Sequence, residues 1–134
     1  MKRVLKTVVM VLIITFGFAG CRTASVLNVP QQEIHIQKAD KAVTQDDVFR
    51  AIAKAAGGLG WMIRKQGDGV AEVTLLVRDH KAVATINYTA TDYSITYKSS
   101  SNLKYNESEQ TIHKNYNGWI KNLDNSIKVQ LSLL

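Results

Sequence analysis

Side chains able to do chemistry are few in this chain and widely spaced. The histidines are His35, His80 and His113, and no two stand at a metal-binding spacing such as His-x-x-x-His. Ser99-Ser100-Ser101 is a run of hydroxyls, but no glycine-framed turn surrounds it to raise one serine as a nucleophile. Gly57-Gly58-Leu59-Gly60 precedes a strand-like run, whereas a phosphate-cradling glycine loop precedes a helix. The carboxylates fall mostly in turns and helix starts, where solvation and capping account for them. These residues predict no catalytic constellation, no cofactor and no bound metal. The densest polar chemistry is Ile112-His113-Lys114-Asn115-Tyr116-Asn117-Gly118-Trp119. On a helical wheel His113, Asn117 and Asp124 share one margin of an apolar stripe, and Asn115, Asn122 and Ser126 flank the other. Two readings stay open. These side chains bond to nearby loop backbone and lock the helix in place, as half-buried polar groups require. Alternatively, His113 and Asn117 line a groove with Tyr88, Tyr97, Ser101 or Asn102 and bind a ligand. His80, beside Arg78 and Asp79, reads as turn polarity or as a cluster reaching toward the final helix.

The elements that must position these residues follow from periodicity. Thr44-Gln45-Asp46-Asp47 is a helix start, with Thr44 as cap and two aspartates at the positive end of the dipole. Val48, Ala51, Ile52, Ala55 and Leu59 fall on one helical face, and Gly57-Gly58 ends the run. Four strand-like segments follow: 61–66, 70–77, 82–88 and 93–98. The last three alternate apolar and polar residues, and the links between all four are short, which predicts an antiparallel meander with one buried face. A second helix is expected from about Asn106 or Ser108. Its stripe is Ile112, Tyr116, Trp119, Ile120, Leu123 and Ile127. The expected fold is α+β: a two-layer sandwich in the order helix, four-stranded antiparallel meander, helix, with both helices on one face of the sheet. The globular domain spans 44–134. Residues 21–43 read as a tether containing the only proline, Pro30, with a possible edge strand at 33–37.

The beginning of the chain bears on location. Lys2, Arg3 and Lys6 precede an apolar run from Val8 to Phe18, and Phe18-Ala19-Gly20 lead to Cys21, the only cysteine. A positive start, a short apolar core and small residues before a cut site make a secretory signal peptide over 1–20. The run is shorter than the ~20 residues a helix needs to cross a bilayer. Small residues immediately before a cysteine resemble the lipobox of bacterial lipoproteins, although Phe18 stands where leucine is usual. That resemblance implies diacylglyceryl attachment at Cys21, which becomes the new N-terminus. Arg22, where enterobacterial lipoproteins retained in the inner membrane tend to carry Asp, implies the outer membrane, facing the periplasm. The whole chain has 17 basic and 11 acidic side chains. Setting aside the three basic residues of the leader leaves 14 basic against 11 acidic, a balance of +3. With no block of like charges, nucleic-acid binding is not expected.

Three pieces together resemble a group of small, functionally uncharacterised lipoproteins of Gram-negative bacteria. They are Arg78-Asp79-His80-Lys81-Ala82-Val83 running to Ile86-Asn87-Tyr88; Tyr93 to Tyr97 continuing to Ser101-Asn102-Leu103-Lys104-Tyr105; and Ile112 to Leu123. The resemblance spans about residues 44–127 and implies the fold and the envelope address; that group has no activity to carry over. The expected function is therefore a lipid-anchored periplasmic module with a non-enzymatic binding or assembly role and an envelope protein as partner. The alternatives are a small-ligand binder with a pocket between sheet and final helix, or a hydrolase of envelope polymers.

Overall fold

The computed structural model describes residues 22–36 and 42–134. The expected signal peptide, 1–20, and the expected lipidation site, Cys21, lie outside them. Nine elements follow in order: β1 Thr23–Ser25, β2 Val29–Glu33, α1 Gln45–Gly58, β3 Met62–Gly67, β4 Val70–Val77, β5 His80–Tyr88, β6 Asp92–Ser101, β7 Thr111–His113 and α2 Lys114–Ser132. The fold is α+β. One antiparallel sheet has the order β2-β6-β5-β4-β3, and β1 and β7 form a separate antiparallel pair. The sheet therefore has five strands, not the four of the expected meander. The simple order of helix, strands and helix is also incomplete, because strands precede α1 and another precedes α2.

The alternation that identifies β4, β5 and β6 also builds the core. Register pairs Val73 with Ala84, Ala84 with Tyr97, and Ile86 with Ile95. Alternate residues of these strands, from Ala71 to Ile95, are buried in one cluster with Val48, Ile52 and Ala55 of α1 and Ile120, Leu123 and Ile127 of α2. Each large aliphatic side chain buried in this way contributes about 1.5–3 kcal/mol relative to exposure.

α1 begins as its sequence requires. The Thr44 hydroxyl accepts from the Asp47 N–H at 3.1 Å, and the Thr44 N–H donates to the Asp47 carboxylate at 3.0 Å. It also stops at the expected glycine pair, but the left-handed turn comes later. The helix runs through Gly58, and the left-handed residue is Gly60 at φ 85°. The Trp61 N–H then reaches back to the Ala56 carbonyl at 2.9 Å, closing the helix end.

Two further expectations are corrected. Residues 22–36 do not run free as a tether. β1 pairs with β7, and β2 adds to the edge of the sheet along β6. The edge strand covers 29–33 rather than 33–37, and Pro30 is tolerated because an edge strand can spare a donor. α2 starts at Lys114, not near Asn106 or Ser108. The Asn106 side chain does accept from the Glu109 N–H at 3.1 Å, as a helix cap would. The chain then turns back: Gln110 takes φ 52°, and Asn106 and Thr111 exchange backbone hydrogen bonds.

The antiparallel order gives the molecule two ends. The β3–β4 and β5–β6 turns and the start of α1 share one end, where the Gln45 side chain donates to the Tyr88 carbonyl. The β4–β5 turn, the end of β6 and the start of α2 share the other.

Candidate functional site

The residues singled out from sequence occupy separate settings. His113 caps α2: its Nδ1 accepts from the Asn115 N–H at 3.1 Å, so in the neutral ring the proton sits on Nε2. Its own N–H donates to the Leu103 carbonyl at 2.8 Å. Asn117, one turn on, clamps the chain between β1 and β2. Its Oδ1 accepts from the Leu27 N–H at 2.9 Å, and its Nδ2 donates to the Ser25 carbonyl at 2.8 Å. Both ends of the amide thus bond to backbone, at the last residue of β1 and in the loop after it.

Asn102 belongs to a different cluster, at the β4–β5 turn. Its Nδ2 donates to Asp79 at 2.7 Å, and its carbonyl accepts from His80 Nδ1 at 2.7 Å. This bonding ties together two left-handed residues, Arg78 at φ 55° and Asn102 at φ 58°. His80 therefore reaches the loop after β6. Ser101 is exposed and pairs with Lys81 across the sheet.

Tyr97 sits among tyrosines. It stacks on Tyr105 at 4.3 Å between ring centroids, meets Tyr116 edge-on at 5.5 Å, and shares a hydrogen bond with Ser100 at 2.8 Å. Burial pushes its phenol above the ordinary range. Tyr116 is fully buried, its hydroxyl has no hydrogen-bond partner, and burial raises it strongly. These rings occupy the space between sheet and α2 where the alternative, ligand-binding reading put its pocket. Tyr88 is at the opposite end of the sheet, 5.7 Å from the Phe49 ring, and is also raised by burial.

A cleft does lie between sheet and α2, at the end away from His113. It encloses about 360 Å³ and is lined by Gln32, Glu33, Ile34, His35, Tyr93 and the last turns of α2 at Lys128, Leu131 and Ser132. Behind it the Tyr93 hydroxyl donates to Asp124 at 2.6 Å, and Lys128 holds the other carboxylate oxygen at 2.9 Å. Burial, then the bond to Asp124, drives the Tyr93 phenol far above its usual range. The Asp124–Lys128 spacing of four was legible as a helical ion pair. That β2 would form one wall was not, because its residues read as linker.

The remaining distinctive surface is the second face of the sheet, which carries Glu72, Thr74, Thr85, Asn87 and Thr96. Register aligns Arg64, Glu72, Thr85 and Thr96 in one cross-strand row. Lys98 bonds to Glu72 and holds its carboxyl below the usual carboxylate range. The neighbouring row is Met62, Thr74, Val83 and Ser99, with Leu76 diagonal to Met62. Met62 and Leu76 are 57% and 58% exposed, whereas Val83 is buried. Among the described residues, no group of three or more His, Cys, Asp or Glu could hold a metal, and no helix is long and apolar enough to cross a membrane. In comparisons with known proteins, no family model, no curated protein and no solved structure matches this chain.

Proposed function

We propose that this chain is a lipid-anchored, non-enzymatic module of the bacterial envelope, held at Cys21 in the outer membrane and facing the periplasm, that binds an envelope protein. In this reading both helices cover one face of the sheet and the other face is the binding surface. The single shared core of α1, α2 and the inward sheet residues supports that division. The observation that carries the proposal is the second face itself. Met62 and Leu76 lie exposed together, over Thr74 and beside the paired charges of Glu72 and Lys98. An apolar pair rimmed by ordered polar groups suits a protein partner. The lipobox-like start and the resemblance to small Gram-negative lipoproteins support the address.

The test is photo-crosslinking in living cells of the full chain with a crosslinking side chain at Thr74, at Thr85 and, as control, at Asn125 on the outer side of α2. The expected result is one discrete adduct from Thr74 and Thr85 and none from Asn125. The same bystander bands from all three positions would contradict it. A second reading, small-ligand binding, rests on the cleft at Tyr93 and Lys128, not on His113.

A further inference from the structure

The geometry points to a second surface: we infer that the end of the molecule at which Arg22 enters docks on an anionic phospholipid bilayer. This inference rests on the anchored reading, which makes Cys21 the point of attachment, and it follows from where the next residue lies. The Arg22 carbonyl accepts from the Lys114 N–H at 2.9 Å, so the chain joins the domain one residue after the anchor. β1 is then fixed by pairing with β7 and by the Asn117 clamp. No slack of some 20 residues separates the domain from the membrane. The start of α2 and the loops beside it must sit near the lipid headgroups.

Charge is divided along the same axis. The anchored end carries exposed Arg22, Arg78, Lys104 and Lys114, with Asp79 as the acidic side chain among them. Lys104 follows Leu103, whose carbonyl holds His113, and so lies beside Lys114. Glu107 and Glu109 are on the turn at the far end of the β1–β7 pair, which a rise of about 3.3 Å per residue puts roughly 10 Å from Arg22. Among the described residues, the opposite end of the molecule carries Glu33, Asp46, Asp47, Asp68 and Asp92, against Arg50, Lys65 and Lys128. Anionic lipid attracts basic residues only within about a Debye length, so the basic end gains from contact when the anchor holds it there. The acidic end is turned away.

The test uses the full-length acylated protein in vesicles of phosphatidylcholine, with and without phosphatidylglycerol, and a quencher on the lipid headgroups. A dye is placed by Lys104→Cys, Lys114→Cys or, at the opposite end, Asp68→Cys. The expected result is stronger quenching at 104 and 114 than at 68, enhanced by phosphatidylglycerol and weakened by salt. Adding Arg78→Gln to the Lys104→Cys protein lowers the docking equilibrium constant about fivefold. Equal quenching at all three positions of an acylated protein, or stronger quenching at 68, overturns the docking surface alone. Wild-type protein that takes up no acyl label in cells overturns the anchoring and the docking surface together.

Discussion

Asn117 shows how one side chain can read as a ligand contact yet be consumed by structure. Its position on the margin of the α2 stripe was legible, but its partners were not, since Ser25 and Leu27 lie about 90 residues away in sequence. Asn117→Ala removes both bonds and leaves the Leu27 N–H without its acceptor. The expected cost is about 1–3 kcal/mol in denaturant unfolding, with faster hydrogen exchange at Leu27. An unchanged midpoint and unchanged exchange would refute the clamp. The tyrosines make a second residue-scale prediction. Tyr88, Tyr93, Tyr97 and Tyr116 are all raised by burial, so the folded state keeps these protons where the unfolded chain releases them. Stability is therefore intact below the ordinary phenol range near pH 10 and falls as pH rises above it. For the two most buried, Tyr93 and Tyr116, the slope is about 1.4 kcal/mol per pH unit each. Tyrosinate absorbance followed with circular dichroism should show most phenols ionising only as the fold is lost; complete ionisation in a folded protein would contradict this.

At the scale of elements, what was legible was what local pattern decides. β4 to β6 alternate over six or more residues, short turns join them to one another and to β3, and α1 carries its own capping box. β1, β2 and β7 are three to five residues long and exist because distant segments pair with them, which no local period reports. Pro30 suggested a linker because its lost donor matters only inside a sheet, and it sits on an edge. Asn106 formed the first bond of a helix cap and then a turn, so its sequence signal was real but incomplete. Two glycines test the elements themselves. A Cβ at Gly69 would lie 2.7 Å from both Gln45 Nε2 and the Tyr88 carbonyl oxygen, at φ 69°. Gly69→Ala should therefore destabilise by more than about 1 kcal/mol, by forcing apart the turn and the start of α1. A Cβ at Gly118 meets nothing within 4 Å on the outside of α2, so Gly118→Ala should stabilise by about 0.5–1 kcal/mol. Thermal melts of both variants check the opposite signs.

At the scale of the molecule, the segment from Arg22 to Ile36 changes the account most. Read as a tether, it would let the domain move freely about its attachment; it is instead folded onto β7 and β6. In the proposed anchored state a lipid at Cys21 would bring the Arg22 end of the sheet to the membrane and leave the face bearing exposed Met62 and Leu76 along the side. The proposed envelope address and the proposed membrane-facing end both depend on Cys21 being acylated. The direct measurement is incorporation of labelled palmitate into the full-length protein and into Cys21→Ser in a Gram-negative host, followed by membrane fractionation. The account predicts label and outer-membrane recovery for the wild type, and neither for Cys21→Ser. Wild-type protein that is exported without label, or Cys21→Ser protein that stays equally with the outer membrane, would contradict it.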